Sequence, residues 1–304
     1  MRGHHRPAQY APVRTRTQSA VQRLAAVTAI ILSASAGAAN WIPEIHLAGS
    51  AGLGYDSNPA NAESGSKLPG TGFASSELTA STHIHTGSET ALVLRAGVDG
   101  QQYFDDTGLS NIKPSVLARF LYRPGAGFFV PVLSAWGSAA AWQFRSTMRS
   151  GGEFRGGAGI NQQLTTDIGV RLGGYAAERD ARASVFELRS QAATLDLDWL
   201  LRDSLTGYLG YEFRYGDFAV ASPADYGVAA FATAIALDDS LTLNGHQEWD
   251  YRVRGHSQIG TLGLNYAFTP SLALDAGASG IHTRTVSGDH YNRLLGEVDV
   301  LFRF

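Results

Sequence analysis

Apolar and polar residues alternate with a period of two along most of the chain. Near the start, Ile45, Leu47, Ala51, Leu53 and Tyr55 share one face, and Glu44, His46, Ser50 and Asp56 share the other. Leu92, Leu94, Ala96 and Val98 alternate with Arg95 and Asp99, and Leu205, Leu209, Tyr211, Phe213 and Tyr215 with Thr206, Tyr208, Glu212 and Arg214. At the end, Leu294, Val298, Val300, Phe302 and Phe304 oppose Arg293, Glu297, Asp299 and Arg303. Successive side chains of a strand point to opposite faces, so this pattern predicts antiparallel strands with one apolar and one polar side. No stretch carries a sustained helical period.

Twelve such segments are predicted, at 43–56, 73–85, 90–104, 112–122, 128–143, 154–164, 168–178, 185–200, 205–216, 254–268, 271–283 and 291–304. Tight connections at 86–89, 123–127, 165–167, 201–204 and 269–270 alternate with longer ones at 57–72, 105–111, 144–153, 179–184, 217–253 and 284–290. Transmembrane barrels alternate short inner turns with long outer loops in this way, and an even strand count returns the chain to its starting side. The expected fold is therefore all-β: a transmembrane antiparallel up-and-down β-barrel of about twelve strands, preceded by a signal peptide.

The aromatic residues sort with the same two ends. Tyr122, Phe128, Trp199, Tyr266, Phe268, Phe302 and Phe304 fall beside short turns or the C-terminus; Tyr55, Phe73, Phe104, Trp142, Phe213 and Tyr215 fall near long loops. Two aromatic girdles at the membrane interfaces account for this sorting. Alternation alone also fits a soluble β-sandwich. The strands here, often ten residues or more, are longer than the five or six usual there.

Composition narrows the picture. The 304 residues include no cysteine, which excludes disulfides, a thiolate nucleophile and a lipid-modified N-terminal Cys. Before Glu44 there is no acidic residue, and Arg2, Arg6, Arg14, Arg16 and Arg23 precede an apolar run from Leu24 to Leu32. The small residues Ser33 to Ala39 follow, with Ala36-x-Ala38 as a cleavage signal. A basic region, a short apolar region and an A-x-A site make a secretory signal peptide, and the run is too short to span a bilayer as a helix. Residues 1–39 are thus expected to be removed, leaving 40–304 as a single barrel domain in a bacterial outer membrane. The full chain has a net charge of −3; the expected mature chain has 19 basic and 27 acidic side chains, a net of −8. An acidic exported protein is a poor nucleic-acid binder, so no nucleic-acid partner is expected.

Three motifs carry a resemblance. The first strand ends Gly54-Tyr55-Asp56-Ser57-Asn58-Pro59, and later come Gly210-Tyr211-Glu212-Phe213-Arg214-Tyr215-Gly216-Asp217 and Leu262-Gly263-Leu264-Asn265-Tyr266. Together these resemble poorly characterised β-barrel porins of Gram-negative bacteria, some linked by gene context to exopolysaccharide systems. The resemblance extends over most of 43–304 at the level of pattern and carries over no functional residue. The terminal Val298, Val300, Phe302 and Phe304 resemble the recognition signal that the barrel-assembly machinery reads. Expected partners are the lipid bilayer, that machinery, and a small polar solute or saccharide.

A twelve-stranded lumen lies between the filled eight-stranded and the open sixteen-stranded types, so a narrow polar pore is expected. The strand phase points Arg95, Asp99, Arg119, Arg171, Asp196, Asp198, Glu212, Arg214, Asp275, Arg293, Glu297 and Asp299 inward, together with Glu77 and Arg303. Charge rings select solutes by field, and arginine forks suit carboxylate or phosphate groups. The alternative for each residue is pairing with its neighbour to brace the wall. His83-x-His85 and His46 fall on one inward face near Glu44, a donor set that could hold zinc or copper. No cofactor is expected.

For catalysis there is no Gly-x-Ser-x-Gly, and Ser279 and His282 fall on opposite faces of one strand. The acidic pairs Asp105-Asp106 and Asp238-Asp239 could bind calcium but more commonly are only solvated. The apolar run Val228–Leu237 inside 217–253 implies a loop that folds into the pore, an extra hairpin on the wall, or a partner site. The readings are a passive channel, a non-conducting structural or export barrel, and an outer-membrane lipid hydrolase. Export is checked by intact mass: protein recovered from the membranes of a Gram-negative host should begin at Ala39 or Asn40, and an unprocessed chain would overturn the leader.

Overall fold

The computed structural model describes residues 44–62, 70–222, 226–243 and 246–304. The segment read as a signal peptide lies outside them. Thirteen strands form one antiparallel sheet: β1 (Ile45–Asp56), β2 (Thr71–His85), β3 (Thr90–Tyr103), β4 (Asn111–Tyr122), β5 (Val132–Phe144), β6 (Gly151–Gln163) and β7 (Ile168–Ala181). They continue with β8 (Leu188–Arg202), β9 (Leu205–Ser222), β10 (Ala234–Leu243), β11 (His246–Thr269), β12 (Leu272–Thr285) and β13 (His290–Arg303). Neighbours in sequence pair from β1 to β9, β9 pairs with β11, and β13 returns to β1. Twelve strands therefore close a barrel, and β10 is left on its rim.

The alternation read in the sequence is realised as an outside and an inside. Leu53, Leu78 and Leu262 are 64%, 59% and 63% exposed, and Val98, Phe120, Leu172, Leu209 and Val298 also lie bare on the exterior. Opposed pairs such as Leu53↔Val298 and Leu78↔Val98 lie on this exterior, whereas Gly52↔Asp299 and Glu77↔Asp99 belong to the inside. An exterior of bare aliphatic side chains on a closed sheet is a lipid-facing surface, since every backbone polar group is already paired within the wall. No helix among the described residues is long and apolar enough to cross a membrane; the crossing is made by strands.

The structure departs from the sequence pattern at particular places. β5 starts at Val132 rather than 128 because Gly125 and Gly127 turn the chain with φ of 126° and 134°, and Pro131 has no N–H for the ladder. β8 starts at Leu188 because Ser184–Phe186 forms a 3₁₀ turn whose Val185 and Phe186 are buried. β9 and β11 continue far into the predicted loop 217–253, with Asp217–Ser222 paired to Arg254–Trp249. Of the outer aromatics, Tyr55, Phe104, Phe213 and Tyr215 are exposed, but Phe73 is fully buried against Tyr103 and Trp142 stacks on Phe144 inside. The inner girdle of Tyr122, Phe128, Trp199, Tyr266, Phe268, Phe302 and Phe304 is exposed as expected.

The wall can be tested with one substitution. Leu78→Arg, placed on the lipid face near mid-strand, should destabilise the barrel by about 2–4 kcal/mol in urea unfolding from vesicles. An unchanged midpoint would show that Leu78 does not face lipid.

Candidate functional site

Below the outer rim the barrel encloses a cavity of about 810 Å³ whose lining includes His46, His83, Arg95, Arg119, Trp136, Arg171, Tyr175 and Arg303. Close packing rather than chance shapes its walls. A Cβ on Gly157 would collide with the Trp136 ring, and one on Gly263 would collide with Tyr208. Glycine at these two places lets large aromatics lie flat against the wall, so the lumen is narrowed without being filled.

The charges inside fall into groups. Arg95 pairs with Glu77 at 2.5 Å, Lys113 with Asp99 at 3.4 Å, and Arg171 reaches Asp196 at 3.4 Å and Asp198 at 3.7 Å. Arg214 clasps Glu212 at 2.6 Å, while the Tyr175 hydroxyl donates to the same carboxylate at 3.0 Å. The Arg95, Lys113 and Arg171 pairs brace neighbouring strands, whereas Arg214 and Glu212 lie on one strand, β9, and reach Tyr175 on β7. Arg119 differs: it makes no ion pair among the described residues, and its buried Nε has no hydrogen-bond partner. Asp275, Glu297 and Asp299 sit on β12 and β13, five and four places from β4 around the twelve-strand ring. Asp275 accepts from Tyr208 at 2.8 Å and from Asn265 at 3.1 Å, and Ser75 donates to Asp299 at 3.3 Å. No cation within 4 Å neutralises this second group among the described residues. One stretch of the inner wall is thus locally positive and another negative.

Arg293, the remaining predicted lumenal charge, belongs to the outer rim. Its Nε donates to Asp56 Oδ1 at 2.8 Å, its Nη2 donates to Asp56 Oδ2, and Tyr103 donates to Asp56 at 3.3 Å. Asp56 is fully buried. The Tyr-Asp-Ser-Asn-Pro turn is the anchor of this node: Asn58 accepts from Ala62 N at 2.7 Å and donates to Ala62 O and Asn292 O.

A lid built on this rim covers the outer mouth. The hairpin of β10 and β11 touches the 3₁₀ turn at Thr107–Leu109, on the β3–β4 loop across the barrel, and the one at Ser184–Phe186, on the nearby β7–β8 loop. Arg149, from the β5–β6 loop, meets Asp238 of β10 at 2.5 Å and Asp250 of β11 at 3.4 Å, and its guanidinium lies 4.2 Å over the Phe186 ring. Arg252 donates to Ser184 O and Glu187 O, both at 2.9 Å. The loops are stitched to one another as well, through Arg145 N to Ser110 O and Arg182 N to Ser150 O. Beneath them Val220, Val228, Tyr251, Val253 and Tyr291 form one buried cluster, and Ala60, Phe73, Tyr103, Leu109 and Ala221 another. Burial pushes the nearby Asp106 carboxyl above its usual range, with Asp105, Asp238 and Asp56 adding and Arg149 opposing. Two of the expectations for 217–253 combine, since an extra hairpin on the wall also bends across the pore.

His46 and His83 come together near the inner end, edge to face with ring centres 6.2 Å apart. Among the described residues, no group of three His, Asp or Glu side chains, with or without His85 and Glu44, is arranged to hold a metal ion. Ser279 meets Thr261 on the inside at 2.9 Å, while His282 bonds Asn292 on the outside at 2.8 Å; they form no catalytic pair. Val298, Phe302 and Phe304 are exposed on the outer face of the closing strand, and Phe304 N donates to Leu47 O. Sequence reasoning missed the lid residues Arg149, Arg252 and Asp250. The isolated Arg149 in the 144–153 loop carried no pattern, because its partners Asp238 and Asp250 lie 89 and 101 residues away.

The closed ring, lipid-facing exterior and charged interior define a transmembrane β-barrel of porin-like architecture. An outer membrane channel from Pseudomonas putida F1 has a similar fold, with a TM-score of 0.55 at 13% identity over 88% of this chain and 98% of that one. The outer membrane channel DcaP of Acinetobacter baumannii aligns with a TM-score of 0.46 at 8% identity, over 86% of this chain and 96% of that one. No family model matches the chain, and no curated protein matches it.

The rim node gives a sharp expectation. Asp56→Ala strands Arg293 against Tyr103 and should loosen the lid by roughly 2 kcal/mol, allowing for the partial exposure of Arg293. Limited proteolysis should then cut the outer loops while the barrel stays intact; unchanged loop resistance would remove Asp56 as the anchor.

Proposed function

We propose that this protein is an outer-membrane channel for small polar solutes or saccharides, exported by its N-terminal leader and closed at its outer mouth in the present state. The observation that carries this reading is the lumen: a roomy cavity lined by Arg119, which has no ion pair among the described residues, and, elsewhere on the inner wall, the carboxylates Asp275, Glu297 and Asp299 with no cation within 4 Å. A barrel that served only as a wall would gain by neutralising those groups, since uncompensated partly buried charge is costly. A transverse field in a narrow aqueous passage orients polar solutes and disfavours apolar ones. The Val298, Val300, Phe302 and Phe304 strand supports insertion by the barrel-assembly machinery, because its side chains stand bare beside the closing seam.

The packed outer mouth favours a second reading, a non-conducting structural or export barrel. The two readings differ in current. Refolded protein in planar bilayers should show brief, infrequent openings, and Arg149→Ala should make them long by leaving Asp238 and Asp250 facing each other without their cation. Arg119→Glu should shift the reversal potential toward cations. Silence from the wild type and from Arg149→Ala alike, with folding verified, would remove the channel and leave the structural barrel.

A further inference from the structure

The exterior wall carries a cationic cluster that the lumen does not use. His256, Arg284 and His290 stand in one row across three neighbouring strands, because His256 opposes Arg284 and Arg284 opposes His290. The next row toward the membrane holds Gln258, His282 and Asn292 by the same registers. His282 and His290 stack at 5.5 Å, and His282 bonds Asn292. Arg254 stands one step farther out on β11 and is engaged by Asp217 at 3.6 Å. The other nearby carboxylate, Asp289, accepts from Ser287 in the hairpin turn. Arg284 has no ion pair among the described residues and is exposed.

Immediately below this cluster the wall is hollowed. On β12 the outward positions are Gly280, Ala278 and Ala276, and Gly260 opposes Gly280 on β11. A Cβ at Gly260 or Gly280 would meet nothing within 4 Å. Bare large side chains flank it in alternation, Leu294 beside Gly280, Leu262 beside Ala278, and Leu264 and Val298 on both sides of Ala276, while Gly260 and Gly296 widen it between them. With strands about 4.8 Å apart, the trench is about 10 Å from ridge to ridge, one acyl chain wide. It runs from the row of His and Arg down into the lipid-facing band.

We propose that β11–β13 form an exterior binding site for a lipid with a phosphate-bearing headgroup, its phosphate held by Arg284, His256 and His290 and one acyl chain lying over Gly280 and Ala278. The guanidinium of Arg284 and the imidazole N–H groups beside it suit phosphate oxygens as donors, and the site lies where the headgroups of the outer leaflet meet the apolar band. Charge complementarity at one end and an apolar slot at the other select a lipid over a free anion. The site rests on the membrane reading of the barrel and is independent of whether the lumen conducts.

The test is native mass spectrometry of the barrel released from nanodiscs that contain diphosphorylated lipid A or its dephosphorylated form. Wild-type protein should retain the phosphorylated lipid, and Arg284→Ala/His290→Ala should retain about tenfold less, the loss expected for charge-assisted contacts. Gly280→Leu fills the slot without touching a cation and should reduce retention as well. Equal retention of the two lipids, or unchanged retention in the double variant, overturns the site. Full displacement by millimolar inorganic phosphate also overturns it, because that marks a site for the ion alone. Heat-modified mobility on gels confirms that each variant is a folded barrel, and retained neutral phospholipid confirms the membrane reading separately.

Discussion

Everything in this molecule depends on the pairing of β1 with β13. In hydrocarbon an unpaired sheet edge leaves a row of N–H and C=O groups with neither water nor partner, each costing several kcal/mol. The register from Ala48↔Arg303 to Asp56↔Leu295 removes that edge. Closure then divides every strand into a face for lipid and a face for the lumen, and a slip of one residue would exchange them. The period of two in the sequence is the chemical record of this division.

The outer end obeys a different rule. There the wall extends past the membrane, residues 217–222 of β9 adding about 20 Å of strand at the usual rise opposite residues 249–254 of β11. Side chains that face inward at this height meet other protein instead of water. Their packing is that of an ordinary soluble core, with Phe73, Val220, Val253 and Tyr291 almost wholly hidden. Two buried arginine–carboxylate nodes, at Asp56 and at Asp238 with Asp250, tie the loops to this small core. Such pairs add little net stability but fix geometry, because any other arrangement strands a charge.

The wall was legible in the sequence because each strand carries its own evidence in alternate residues. The candidate lumenal positions, such as Arg119, Arg171 and Asp299, were assigned from strand phase alone. The lid was not legible, because Arg149 and Asp238 are joined by no periodicity and β10 pairs with residues 246–252 of β11, beyond the 255–269 stretch that β12 takes. Phe73 was assigned to a girdle from its place near a loop, although it shares the phase of Glu77 and not that of the exposed Leu78. Its neighbour Gly54 leaves room for its ring on that inner side.

The hairpin of β10 and β11 has one more property. It is inserted between β9 and the membrane-spanning part of β11 without taking a place in the ring, since β9 and β11 pair directly beneath it. Circumference and shear are therefore indifferent to its length and composition. The segment between Ser222 and Trp249 is a module that evolution or an engineer can exchange, giving one unaltered cylinder many different closures.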